Sequence, residues 1–253
     1  MYIKIVGKGK PIVLIHGWGV CGRVWEDLAE SMKAKYKLFI VDLPGMGNSP
    51  LIKTYELKNL IKEIHEHIPS KVTMIGWSLG SQIAIKYALE HPTNINNLIC
   101  VSATPSFIKR SGWEYGMEKN IFMNFKKELK NNWKKTLKNF FILQLIKNKE
   151  QKKILERFEN NFIYDKPPTK HGLEKLLNIL ENNDLRNEIK KIKVPTLIIT
   201  GKKDVLCDYQ ASIWLHSEIR ASKLFIFESE GHIPFITNKK KFLQIIHQFI
   251  KAN

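Results

Sequence analysis

The pentapeptide Gly76-Trp77-Ser78-Leu79-Gly80 joins an apolar run at 72–75 to a helix-patterned segment at 81–89. Few folds accommodate that junction. A serine between two glycines at a strand-to-helix turn can hold a strained backbone with its hydroxyl exposed, because the missing Cβ atoms at Gly76 and Gly80 let neighbouring backbone crowd in. The pentapeptide alone would fit a passive turn equally well. The strand before it and the helix after it make Ser78 a candidate nucleophile.

Around this turn, short β-rich runs recur at 3–6, 12–15, 38–41, 98–101, 196–200 and 224–227, with helical patterns at 24–32, 57–67 and 210–218 between several of them. Such alternation predicts an α/β fold with a largely parallel sheet covered by helices. A run such as Leu197-Ile198-Ile199 fits a strand buried on both faces. With 253 residues, 43% of them hydrophobic, the chain can bury one full core that carries an insertion.

The alternation stops between 107 and 190. From Ile121 the apolar residues Phe125, Leu129, Trp133, Leu137, Phe141 and Leu145 recur every four positions, which predicts one apolar ridge drifting around a helix. A second helix is expected over about 150–162 and a third over 172–180, separated by the breaker Lys166-Pro167-Pro168-Thr169. Residues 107–190 are therefore expected to form a helical cap over the sheet end where Ser78 emerges. Residues 1–106 and 191–253 would form the core.

The net charge of +17 is unevenly spread: residues 119–153 hold eleven lysines against Glu128 and Glu150, an excess of nine. Lys126, Lys130, Lys134 and Lys138 make a ridge there. Compositional drift toward lysine would produce the same ridge, but a concentrated positive field also favours acidic partners. No nucleic-acid motif accompanies it. Cys21, Cys100 and Cys207 are too scattered for a disulfide framework or a zinc site and read as reduced thiols. No phosphate-binding or dinucleotide motif is present either, so chemistry without a metal or cofactor is expected. The longest apolar run near the N-terminus, 12–15, is too short for a secretory leader or a membrane span, so a cytoplasmic protein is expected; a monomer is a separate expectation.

For a nucleophile at Ser78, the partners should follow from loops beyond later strands, acid first and then histidine. Asp204 lies just after the run at 196–200, and His232 just after that at 224–227. Asp208 is the competing carboxylate, placed where a helix begins. His65, His67, His216 and His247 fall on helical segments, His91 precedes a proline, and His171 lies in the cap. His16-Gly17-Trp18-Gly19 follows the run at 12–15, and its glycines permit close backbone approach to a ligand. The amides of Trp18 and Leu79 are the candidate oxyanion donors. Asp42-Leu43-Pro44-Gly45-Met46-Gly47 reads as a tight structural turn.

These motifs resemble the α/β-hydrolase superfamily along the whole chain, and within it the biotin-synthesis carboxylesterases that hydrolyse the methyl ester of pimeloyl-acyl-carrier protein. The narrower likeness rests on Trp18 and Trp77, Ala103-Thr104-Pro105-Ser106-Phe107, Gly172-Leu173, Asp184-Leu185-Arg186, and Gly231-His232 followed by Pro234-Phe235. The resemblance implies an Ser78, Asp204 and His232 triad, with Trp18 and Leu79 at the oxyanion. It also implies acyl-chain contacts along Phe140, Phe141, Ile142, Leu143 and Gln144. An acidic acyl carrier protein would be the partner. Lys135 and Lys152 stand where the family places basic docking residues, beside Lys134 and Lys138, while Asn139 and Glu156 depart from that pattern. The same triad also serves general carboxylesterases and carbon-carbon bond hydrolases, or can persist in a non-catalytic receptor. A serine nucleophile argues against dehalogenase and epoxide-hydrolase chemistry.

Overall fold

The computed structural model describes residues 1–145 and 150–253. Its centre is a seven-stranded sheet: β1 (Tyr2–Val6), β2 (Lys10–Ile15), β3 (Tyr36–Asp42), β4 (Val72–Trp77), β5 (Ile95–Val101), β6 (Thr196–Gly201) and β7 (Ser222–Phe227). In space the order is β1-β3-β2-β4-β5-β6-β7. β1 runs antiparallel to β3, and every other neighbouring pair is parallel. Each β-rich run expected from the sequence falls within one of these strands. β4 and β6 are buried along their whole length, which explains their unbroken apolar character.

Among the described residues ten helices accompany the sheet: α1 (Glu26–Met32), α2 (Leu57–His65), α3 (Leu79–Glu90), α4 (Lys119–Asn131), α5 (Trp133–Gln144), α6 (Gln151–Glu159), α7 (Lys170–Asn182), α8 (Tyr209–Glu218), α9 (Pro234–Thr237) and α10 (Lys239–Ala252). α3 has water on almost no side, so apolar residues surround it instead of forming a stripe. α10 is the opposite case, burying Phe242, Ile245, Ile246, Phe249 and Ile250 on one face at helical spacing. No helix among the described residues is long and apolar enough to cross a membrane.

The register aligns Ile15 with Gly76, Gly76 with Cys100, Val101 with Ile199, and Gly201 with Phe227. The carboxyl ends of these strands therefore share one edge of the sheet, and the loops that follow them meet there. After β2 the chain steps outward to β3 and then crosses back to β4 on the other side. That reversal opens a crevice beside the end of β4, the usual ligand position in an open α/β sheet.

The helices α4 to α7 lie between β5 and β6 in the chain. The expected single helix from Ile121 to Leu145 is instead two, broken at Asn132, whose backbone (φ −149°, ψ 79°) leaves the helical region. The Asn132 side chain accepts from the Lys135 amide at 3.1 Å and caps α5. Asparagine competes in this way with helix continuation, and a four-residue apolar spacing that persists across the break conceals it. The lysine ridge is consequently divided. Lys126 pairs with Glu181 and Lys138 with Glu159, at 2.9 Å in the second case. Lys134 and Lys135 are exposed on α5, Lys152 is exposed on α6, and Lys147 and Lys149 lie outside the described residues.

Several contacts tie these helices to the core. The Thr169 amide donates to the Gly45 carbonyl at 2.8 Å, and the Trp18 indole donates to the Leu173 carbonyl at 2.9 Å. Gly45 holds φ +78°, and a Cβ there would lie 2.8 Å from the Gly172 Cα, so the turn after β3 admits only glycine against α7. Arg186 clamps Asp184 at 2.8 Å and donates to the Ser111 carbonyl at 3.0 Å. The guanidinium holds the Asp184 carboxyl below its ordinary range.

Candidate active site

Ser78 stands alone between the last residue of β4 and the first of α3, with φ 55° and ψ −117°. A side chain in that conformation stores roughly 1–3 kcal/mol of strain, so the surroundings must hold it. They do so by close packing: a Cβ at Gly76 would meet the Gly80 carbonyl oxygen at 2.2 Å, and one at Gly80 would meet the Ile15 carbonyl oxygen at 2.2 Å. Buried Ser81 donates to the Gly76 carbonyl at 2.6 Å and accepts from the Val101 amide at 3.1 Å, pinning the turn to β5.

The loops after β6 and β7 bring Asp204 and His232 together. His232 Nδ1 lies 2.7 Å from Asp204 Oδ2, with both side chains almost fully buried. The other carboxylate oxygen accepts from the Leu206 amide at 2.9 Å and the Cys207 amide at 3.0 Å. Three bonds thus fix one carboxylate. The His232 carbonyl accepts from the Trp77 indole and from the Ser102 hydroxyl, each at 2.9 Å, which anchors the histidine to the strand ends flanking Ser78. A Cβ at Gly201 would lie 2.2 Å from the Gly231 carbonyl oxygen, so the two loops can meet only at a glycine. Asp208 is exposed and accepts from the Gln210 amide at 2.9 Å, capping α8 away from His232.

His16 has a different occupation. Its Nε2 accepts from the Leu43 amide at 2.9 Å, which leaves Nδ1 to donate to the Gly17 carbonyl at 2.7 Å. Burial pushes its pKa down, so the ring is neutral and ties the loop after β2 to that after β3. Trp18, next along, is buried edge-on against Phe125 and Phe140, with centroids 5.4 and 5.1 Å away. A Cβ at Gly17 would lie 3.3 Å from Ser78 Cβ, which puts the loop after β2 directly against the serine. Leu79 opens α3, where a helix leaves its amide without an intrahelical acceptor.

Ser78 and His232 share the wall of a cavity of about 80 Å³ that is otherwise apolar, lined by Trp18, Phe107, Met117, Phe122, Phe125, Phe140, Leu143, Leu177, Leu180 and Leu206 among others. A wider outer cavity of about 560 Å³ shares Met117, Ile121, Leu143 and Leu206 with it. Of the stretch Phe140 to Gln144, Phe140 and Leu143 face the inner cavity. Phe141 turns away into an aromatic cluster with Phe158 and Phe162, centroids 5.2 and 6.1 Å distant, because each helical residue rotates about 100° from the last. Ile142 is half-buried and does not line the cavity, nor does Leu79. Gln144 is buried, and neither end of its side-chain amide has a partner among the described residues. The Gln144 backbone carbonyl oxygen lies 3.3 Å from where a Gly231 Cβ would be, beside the His232 loop.

Cys207, read from the sequence only as a scattered reduced thiol, lies buried beside Asp204 and His232. Sequence reasoning passed over the cavity walls at Phe107, Met117, Leu177, Leu180 and Leu206. Only packing decides which faces of the cap turn inward there.

The model of the α/β-hydrolase fold matches residues 10–239. The chain belongs to the α/β-hydrolase family. It is 32% identical over 243 residues to the pimeloyl-[acyl-carrier protein] methyl ester esterase of Nitrosomonas europaea, covering 96% of each chain. It is 36% identical over 251 residues to the protein of the same name from Wigglesworthia glossinidia brevipalpis, covering 98% of this chain and 96% of the relative. Among solved structures, an esterase from Exiguobacterium antarcticum superposes with a TM-score of 0.93 at 31% identity, covering 99% of this chain and 95% of that one.

Proposed function

We propose that this α/β-hydrolase cleaves the methyl ester of pimeloyl-acyl-carrier protein, releasing methanol and leaving a free carboxylate on the carrier-bound chain. The observation that carries the reading is a nearly all-apolar cavity whose polar wall consists of Ser78 and a histidine held by a buried carboxylate at 2.7 Å. Full-length kinship to esterases of that name supplies the substrate. Ser78 attacks the ester carbonyl while His232 takes the hydroxyl proton, Asp204 having fixed the imidazole tautomer that leaves Nε2 free to accept it. The amides of Trp18 and Leu79 receive the developing oxyanion, an interaction worth about 3–4 kcal/mol per donor at such sites. Protonated His232 then gives its proton to the departing methoxide, and water repeats the sequence to release the acid.

The apolar walls suit a chain of methylenes and exclude water from the acyl-enzyme. A carrier-bound substrate also holds a labile thioester, so the enzyme must admit only the distal ester to Ser78. Docking of an acidic carrier on the exposed lysines Lys134, Lys135 and Lys152 would set that register by position. Lys138 contributes less, being engaged by Glu159. In this account residues 107–190 act as one cap over the core, and the enzyme works as a cytoplasmic monomer.

Methanol release from the carrier-bound ester, measured beside Ser78→Ala, tests the reading; release by both proteins or by neither would overturn it. The likeness to the Exiguobacterium esterase favours a second reading, a general short-chain carboxylesterase. That reading expects equal specificity constants for carrier-bound and free methyl esters.

A further inference from the structure

We infer that Cys207, His232 and Asp204 form a binding site for a thiophilic divalent cation, of the class of Zn²⁺ and Cd²⁺, and that filling it reversibly shuts off the hydrolase. One ligand atom from each of the three residues lies within 4.8 Å of the others, and all three are buried. An ion held at about 2.3 Å from a thiolate and about 2.0–2.1 Å from nitrogen and oxygen ligands draws those atoms to roughly 3.5 Å of one another by tetrahedral geometry. Modest side-chain rotation closes that difference. Solvent supplies the fourth ligand of such a three-residue tetrahedral site. Cysteine, histidine and carboxylate are the donor set that borderline-soft cations select, and hard cations such as Mg²⁺ are disfavoured by the sulfur.

Nothing in the ester hydrolysis proposed above uses the Cys207 thiol. It is 2% exposed, and burial keeps it protonated, so it is a poor nucleophile toward alkylating agents. A coordinating cation overcomes this by displacing the thiol proton, which passes to solvent. An outer cavity of about 560 Å³ is lined in part by Asp204 and Leu206, on the loop that carries Cys207. Once bound, the ion ties up the His232 imidazole and the Asp204 carboxylate that orients it, so the proton of Ser78 loses its acceptor. This consequence rests on the Ser78 and His232 reading, whereas the site itself rests on geometry alone.

The test is titration of the full-length protein with Cd²⁺ in a thiol-free buffer, followed by the ultraviolet cadmium–thiolate charge-transfer band and by p-nitrophenyl butyrate hydrolysis. Each variant is compared with its own metal-free rate. Stoichiometric Cd²⁺ is expected to raise the band and lower hydrolysis by about 10²-fold or more, the scale of a lost general base, with recovery on adding EDTA. Cys207→Val and Cys207→Ser should lose both the band and the sensitivity. A band of equal intensity in Cys207→Val would assign it to Cys21 or Cys100 and overturn the site, as would equal inhibition of the variant and the parent, or no band at all. A protein without metal-free activity would refute the hydrolase reading, and the band in parent and variant would still decide the cation site.

Discussion

Replacing Asp204 by asparagine changes one oxygen to an amide nitrogen and should disable the site without unfolding it. The carboxylate accepts on both oxygens: Oδ1 from the amides of Leu206 and Cys207 at 2.9 and 3.0 Å, and Oδ2 from His232 Nδ1 at 2.7 Å. Asparagine has only one acceptor oxygen, and two backbone amides compete for it against one imidazole. The amide nitrogen therefore faces His232 and donates to Nδ1, which pushes the ring proton to Nε2. An imidazole protonated at Nε2 cannot take the proton of Ser78. The expected loss in kcat is about 10⁴-fold, about 5 kcal/mol in the barrier. Losing a charge-assisted bond costs about 1–3 kcal/mol of stability, and each kcal/mol lowers the midpoint by roughly 2–4 °C at this chain length. Steady-state hydrolysis of p-nitrophenyl butyrate, with folded protein verified by its thermal midpoint, measures both. Asp208→Asn is the control, since an asparagine caps α8 as well as an aspartate does. An Asp204→Asn enzyme within about tenfold of the parent would refute the assignment of the acid.

Gln144→Leu should stabilise the fold by about 1 kcal/mol or more, because it removes a buried amide whose two ends have no partner among the described residues; a lowered thermal midpoint would mean that the amide is satisfied in solution. Acid should destabilise the protein through His16. Burial holds its native pKa below the ordinary value of about 6.5, so as pH falls through that value the unfolded chain binds a proton that the native state refuses, and stability declines. His91 and His247, also lowered by burial, act in the same direction. Urea denaturation at pH 7.5 and 5 reads the difference; equal midpoints would contradict it. Lys134→Glu with Lys135→Glu should lower kcat/KM on the carrier-bound ester by about tenfold at low salt, less at high salt, while hydrolysis of p-nitrophenyl butyrate is unchanged. Equal losses on both substrates would remove carrier docking from the role of these lysines.

The sheet was legible because its inner strands are buried on both faces, so runs such as Leu197-Ile198-Ile199 carry a signal that no surface requirement interrupts. The meeting of Asp204 with His232 was legible for another reason: the chain order of strand ends fixes which loops share an edge once the strands are parallel. The segment between β5 and β6 was less transparent. Its apolar spacing of four runs unbroken through Asn132, where the backbone turns, so one periodicity describes two helices that are not one rod. Phe140 and Phe141 are adjacent in sequence, yet one faces the cavity and the other the cluster around Phe158. Cys207 reads in the sequence only as a scattered thiol, because its position beside Asp204 and His232 follows from the path of the loop after β6, which no residue pattern announces.

Intact-mass analysis of pimeloyl-acyl-carrier-protein methyl ester after incubation with this protein and with Ser78→Ala tests the central claim most directly. The account expects the conjugate to lose the mass of one methylene while its thioester survives, and the variant to leave it unchanged. A conjugate that remains intact with an enzyme still active on p-nitrophenyl butyrate, or one that loses its whole acyl chain, would contradict the claim that the fold selects the distal ester.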